Sequence, residues 1–195
     1  MPEPTSIAVP GGLGGRRLLT RRRVSEAALV RAAQRGSKEA VEELFARHWA
    51  SAHRAAVLVT GDRSAGEDIA QEAFLAALRA LPRFDARRPL APWLHRIVVN
   101  RAIDFARARA LRHETGDVRV DTPAAPVAAD TPGEEISAAL LTLPVDQRAV
   151  VVLRYVLDLT PGEIAAALEL PRGTVNSRLR RGLDALGGLV EEGAQ

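Results

Sequence analysis

Four arginines, Arg172, Arg178, Arg180 and Arg181, crowd one short segment beside Thr174 and Ser177. An arginine fork can donate two hydrogen bonds to a guanine edge or neutralise a phosphate. Thr and Ser are short enough to let a helix approach DNA closely. At about 100° per residue, Thr174, Ser177 and Arg181 point one way, with Arg178 and Arg180 on the flanks, while Val175, Leu179, Leu183 and Leu186 form the opposite apolar stripe. A second set, Trp93, Arg96, Asn100, Asp104 and Arg107, recurs at spacings of three and four. On one helix face such a set can stack an unpaired base and hold its phosphate. A third face carries Asp68, Gln71, Glu72, Leu75 and Arg79. A leucine among acids and an amide there has the character of a protein-docking surface. Each set also has a plainer reading: an αα-hairpin with a solvated basic face, a core tryptophan with solvated arginines, and a solvated face with one stray leucine.

Composition narrows what can position these groups. The chain has 195 residues, 47% of them hydrophobic and 4% aromatic, with Ala, Leu and Val supplying most of the apolar content. That favours helix packing over a β-sandwich. The absence of cysteine excludes disulfides and thiolate metal sites, and the four histidines are scattered in sequence. No catalytic triad, metal cluster or phosphate loop stands out, so no enzymatic activity and no cofactor are expected. No apolar run approaches the ~18 residues of a membrane span, and no secretory segment opens the chain. A cytoplasmic protein without membrane insertion is expected. Lys38 is the only lysine, so nearly all the positive charge is arginine. Residues 25–112 and 171–186 carry a basic excess, and residues 113–135 between them are acidic. Basic patches of this kind attract polyanions.

Helix signals divide the chain. Residues 1–24 have no helical period and read as a disordered basic extension. Residues 25–112 read as a helical domain. Ser25 caps a helix that stops at Gly36, and Ser37 caps another that stops at Gly61. The run Ser64–Glu67 forms a capping box for the next helix, which ends at Pro82, and a long helix spans about 92–111. Residues 113–133, with Pro123, Pro126 and Pro132, form an acidic linker. Residues 134–187 read as helices at about 134–141, 145–157, 161–168 and 172–186, with a tail at 188–195. Thr160 and Glu163 can close a capping box with Pro161 at the first helical position. Pro171 separates the last two helices, which makes helix-turn-helix geometry. The β-branched run Val150–Val156 reads as helix because of its neighbours. The expected fold is all-α: two small helical domains on a flexible tether, the second a helix-turn-helix.

Together, "LVRAAQRGSKEAVEELFARH", "GEDIAQEAFLAALRALPRF", "PWLHRIVVNRAIDFARAR" and "LTLPVDQRAVVVLRYVLDLTPGEIAAALELPRGTVNSRLRRGLDAL" resemble sigma-70-type RNA polymerase initiation factors of the extracytoplasmic-function class. The resemblance runs over about residues 28–187. The chain leaves no room for the further domains of larger sigma factors, which suits this compact class. The resemblance implies that 25–112 is sigma region 2, binding core polymerase and the −10 element, and that 134–187 is region 4, binding the −35 element. It implies core polymerase as a partner, through the clamp of the largest subunit and the flap of the second largest. Promoter DNA and an anti-sigma factor are further implied partners. The family's DxxQExF motif falls on Asp68, Gln71, Glu72 and Phe74, with Leu75 beside it. The −10 residues implied are Phe84, Arg87 and Arg88 in the loop and Trp93, Arg96, Asn100 and Asp104 on the helix. The −35 residues implied are Arg172, Thr174, Ser177, Arg178 and Arg181. Asn176 stands where the family often has lysine, which bears on promoter sequence. The rival readings are an autonomous helix-turn-helix regulator with a helical N-terminal domain, and a helical interaction module that binds no DNA.

Overall fold

A computed structural model describes residues 24–114 and 132–193; the expected basic extension, most of the acidic linker and the end of the tail lie outside them. The described residues form helices and no strand: α1 (Glu26–Gln34), α2 (Lys38–Thr60), α3 (Arg63–Ala80), a 3-10 turn (Leu81–Arg83), α4 (Leu90–Glu114), α5 (Pro132–Leu141), α6 (Val145–Tyr155), α7 (Pro161–Leu168) and α8 (Arg172–Gly193). The β-branched run is helical, with Val150, Val151, Val152 and Leu153 all buried in α6. Tertiary burial overrides its strand propensity.

Local chemistry sets the helix ends. The Ser25 and Ser37 side chains accept from the backbone amides of Ala28 and Ala40, capping α1 and α2. Gly61 ends α2 at φ 70°, in the left-handed region that suits glycine. Helix α3 starts earlier than a Ser64–Glu67 box would place it. Asp62 is its cap: the carboxylate accepts from Ala65 N at 3.1 Å and also holds Arg109 of α4 at 3.1 Å. Helix α4 starts at Leu90 because a distant carboxylate caps it. Glu26 Oε1, on α1, accepts from Leu90 N at 2.7 Å. At α7 the capping box is complete: Thr160 and Glu163 exchange side-chain and backbone hydrogen bonds, which hold the Glu163 carboxyl below its usual range.

In the N-terminal half α2, α3 and α4 pack around Ala52, Ala55, Val59, Ile69, Ala73, Leu94, Val98 and Ala102. The expected inner stripe of α3, Ile69, Ala70, Ala73 and Ala77, is buried throughout. The small residues bring the helix backbones close. A Cβ at Gly66 would stand 2.8 Å from the Val57 backbone, so α3 can rest on the α2 main chain only because Gly66 has no side chain. A second cluster, Leu29, Val30, Ala40, Leu44, Leu81 and Leu90, seats α1. In the C-terminal half α6 packs on α8 and α7 on both. Val175 and Leu179 are buried as the stripe requires, but Leu183 is exposed. Gly182 is the buried residue in that turn, and a Cβ there would stand 3.0 Å from Val151 Cγ2. The close approach of α8 to α6 thus rolls Leu183 outward.

The halves are also in contact with each other. Helix α4 packs on α6 and α7, and α2 packs on α5 and α6. One continuous apolar cluster runs from Val98, Val99 and Ile103 to Val150, Val152 and Ile164.

Candidate nucleic-acid interface

The polar face of α3 is open to solvent, as its helical period suggests. Asp68, Gln71, Glu72 and Leu75 are exposed, Leu75 by 54%. Gln71 lies 3.4 Å from Glu67 Oε1, and Glu72 lies 3.9 Å from Arg101 of α4. Phe74 differs from these neighbours: it is buried, its ring 4.7 Å from that of Phe45 and 5.8 Å from that of Trp49. It holds α3 on α2 and does not belong to the exposed face. Phe45 and Leu78 are exposed apolar residues beside it on the same two helices, and sequence reading passed over both. Phe45 could have been found from its place one turn before Trp49, against which it stacks at 4.9 Å.

The loop and α4 stripe are more engaged than solvent-facing residues would be. Phe84 and Trp93 lie ring to ring at 4.7 Å. Trp93 packs against both apolar clusters, so its indole is part of the core as well as of the stripe. The amide of Gln34 donates to the carbonyls of Leu81 (2.9 Å) and Phe84 (2.8 Å), fixing the loop to α1. Arg87 is turned back on Asp85 at 3.0 Å, and its guanidinium holds that carboxyl down to about 2. Arg88 and Asp104 are exposed. Arg96 pairs with Glu169, at the end of α7. Asn100 Nδ2 donates to the carbonyl of Ala167 at 3.3 Å. Arg107 pairs with Asp146 of α6 at 2.6 Å. The polar stripe of the first half therefore faces the second half.

On α8, Arg172 and Arg181 are exposed and Thr174 and Ser177 are half-buried. The Ser177 hydroxyl donates to the Thr174 carbonyl at 3.0 Å, which leaves its oxygen free to accept. Arg178 does not point outward as the helical wheel suggests. Its side chain is 22% exposed and pairs with Asp146 at 2.9 Å. A cavity of about 250 Å³ lies between the halves, lined by Asn100, Asp104, Arg107, Asp146 and Arg178 among others. The turn before α8 places Glu169 at φ 54°, an unusual conformation for a residue with a Cβ.

The sequence missed one cluster because its members are far apart along the chain. His48 Nε2 stands 3.2 Å from Glu26 Oε2, and His95 Nε2 stands 3.2 Å from Ser51 Oγ. Burial, and the neighbouring His48, push the His95 imidazole down to about 4. Among the described residues no group of histidines and carboxylates is arranged to hold a metal ion. None of the described helices is long and apolar enough to cross a membrane.

Both halves of the chain have counterparts among known proteins. Residues 37–112 match the family described as Sigma-70 region 2, and residues 133–186 match Sigma-70, region 4. The chain is 35% identical over 182 residues to the ECF RNA polymerase sigma factor SigM of Mycobacterium tuberculosis, covering 93% of this chain and 90% of that protein. It is 29% identical to the ECF RNA polymerase sigma-E factor of Escherichia coli K12, covering 86% and 95% of the two chains. The solved structure of CnrH in complex with the cytosolic domain of CnrY aligns with a TM-score of 0.65 at 28% identity, covering 86% of this chain and 97% of that one. Two matched regions in this order, the first carrying the α3 and α4 faces and the second the α8 face, identify the chain as a member of the sigma-70 family, in the extracytoplasmic-function class of RNA polymerase sigma factors.

Proposed function

We propose that this sigma factor, a promoter-specificity subunit, divides its work among the three faces built above. The exposed α3 face of Asp68, Gln71, Glu72 and Leu75 docks on the clamp of the largest polymerase subunit, and the C-terminal half meets the flap of the second largest. Helix α8 enters the major groove of the −35 element with Arg172, Thr174, Ser177 and Arg181 foremost, and Arg178 joins them once it leaves Asp146. The α4 stripe and the Phe84–Pro89 loop hold non-template bases of the −10 element. Contacts made only to opened bases offset an unstacking cost of a few kcal/mol per step. The chain supplies recognition and melting, and the polymerase supplies the chemistry. An anti-sigma factor is a further partner, a reading supported by the complex in which CnrH was solved.

The observation that carries this reading is the order of faces along one chain: an exposed acidic and amide docking helix, a Trp-Arg-Asn helix and an arginine-bearing helix-turn-helix. An autonomous duplex-binding regulator has no use for the first two. Run-off transcription with core polymerase, with and without the protein, tests it. Promoter-specific product that requires the protein is the expected result. Duplex binding without any effect on transcription would favour the regulator instead.

A further inference from the structure

The connection between α3 and α4 is held at both ends by α1. The Gln34 amide donates to the carbonyls of Leu81 (2.9 Å) and Phe84 (2.8 Å), at the 3-10 turn that follows α3. Glu26 Oε1 accepts from Leu90 N at 2.7 Å, where α4 begins. Glu26 and Gln34 are the first and last residues of α1, so the helix spans the connection from one end to the other. We infer that Glu26 and Gln34 are positioning residues for strand opening: they seat the Phe84–Pro89 loop on α1 before DNA arrives, and so fix the place where its side chains meet an unpaired base. This rests on the assignment of that loop to the −10 element.

The polar contacts of this brace reach main chain alone. On the connection they use two carbonyls and one amide, while the side chains of Asp85, Arg87 and Arg88 stay exposed. The middle of the loop carries its own turn: Arg88 N donates to the Asp85 carbonyl at 2.9 Å, and Arg87 N to Asp85 Oδ1 at 3.0 Å. A loop that is tied within its middle takes its place from its ends. Pro89 precedes α4 and offers no side-chain oxygen to cap it, so the acceptor comes from another helix. The other Glu26 oxygen stands 3.2 Å from Nε2 of the buried His48 on α2, which keeps the carboxylate in register. Apolar packing has a separate task. Leu29 and Val30 share a cluster with Leu81 and Leu90, and this keeps α1 attached when the polar contacts are cut. A loop ordered in advance spares part of the entropy that capture of a base would otherwise cost.

Strand opening by the holoenzyme, followed as permanganate reactivity of unpaired thymines over time, tests the brace. Hydrogen exchange of the free full-length protein reports on the loop. Gln34→Met keeps the length of the side chain and removes both donors. It should speed exchange in the loop and at the start of α4, and leave α3 exchange and retention by core polymerase unchanged. It should slow opening about tenfold, the scale of one or two neutral hydrogen bonds. Glu26→Ala should do the same, whereas Glu26→Gln, whose amide oxygen can still accept from Leu90 N, should retain opening. Arg87→Ala with Arg88→Ala tests the assignment of the loop itself. Slow opening by that loop variant, beside normal opening by Gln34→Met and Glu26→Ala, would overturn the brace and leave the assignment standing. Normal opening by the loop variant would overturn the assignment, and the brace with it. Equal losses in Glu26→Gln and Glu26→Ala would also overturn the inference. So would a loss in Gln34→Met that comes with lower helix content and weaker polymerase retention.

Discussion

The indole of Trp93 lies 4.7 Å from the ring of Phe84, at an interplanar angle of 39°. This tilted pair joins the loop before α4 to the helix and bridges the two apolar clusters of the N-terminal half. Trp93 is thus part of the core, and substitutions should separate that part from the role in strand opening proposed for it. Trp93→Ala should lower stability by about 2–4 kcal/mol through the space it leaves, visible as an earlier denaturant midpoint. Trp93→Phe should retain most of that stability and still weaken strand opening, read by permanganate footprinting of unpaired thymines. A template with a pre-melted −10 bubble should restore its activity. Normal opening by a stable Trp93→Phe protein would confine Trp93 to the core.

The α3 face and its buried neighbour should behave oppositely. Asp68→Ala with Gln71→Ala removes exposed groups and should change stability by no more than about 0.5 kcal/mol, while weakening retention by immobilised core polymerase. Phe74→Ala should cost about 3–5 kcal/mol and lose polymerase binding only as a consequence of loosening α3. Wild-type retention of the double variant would remove this face from the interface.

His95 makes stability depend on pH in the acid range. Its folded value of about 4 lies below the ordinary 6.5, because burial and His48 disfavour the charged ring. The unfolded chain therefore binds the proton more readily, and stability falls as the pH drops from about 6.5 towards 4. A proton on Nδ1 would be buried without an acceptor among the described residues. At pH 5 the loss from this group should be about 2 kcal/mol. Urea midpoints at pH 7.5 and pH 5 measure it, and His95→Gln should flatten the difference. An equal acid sensitivity in that variant would assign the effect to other groups.

On α8, Arg172→Ala and Arg181→Ala should each weaken −35 duplex binding by the holoenzyme. A lost phosphate contact reduces the salt dependence by about one ion, whereas a lost base contact costs about 1–3 kcal/mol on the cognate sequence alone. Titrations at several salt concentrations on cognate and scrambled duplexes distinguish the two. Unchanged isotherms on both would take the residue out of the interface.

Glu169→Gly tests the turn of the helix-turn-helix. Relief of the left-handed strain should stabilise by about 1 kcal/mol, offset in part by loss of an exposed ion pair worth at most about 1 kcal/mol. The denaturant midpoint should hold or rise. A clear fall would show that Arg96 gains more from Glu169 than an exposed pair ordinarily supplies.

The parts of this molecule that sequence disclosed are those governed by neighbours along the chain. Ser25, Ser37, Gly61 and the Thr160–Glu163 box act over three or four residues, and each stands where local rules put it. Helix periodicity likewise gave the buried stripe of α3. What stayed hidden depends on partners far away. Glu26 begins α4 from 64 residues upstream, and Asp146 reaches Arg107 from 39 residues downstream. A helical wheel turns Arg178 to solvent because it contains no α6. It turns Leu183 inward because it does not register how closely Gly182 lets α8 approach. Phe74 sits in a motif of exposed residues, and only the packing of Phe45 and Trp49 reveals that it faces in.

Gly66 has a bearing on how such a surface would be mapped. Buried, with no side chain and nothing to offer a partner, it nonetheless fixes the spacing between α3 and α2, since any Cβ there meets the Val57 backbone. Even alanine would lever α3 outward, carrying Asp68 and Gln71 with it. A mutational screen scored by transcription would place Gly66 among the polymerase contacts. Sensitivity in such a screen therefore traces the rigid frame behind the proposed docking ridge as well as the ridge, and only a direct footprint of the complex would tell them apart.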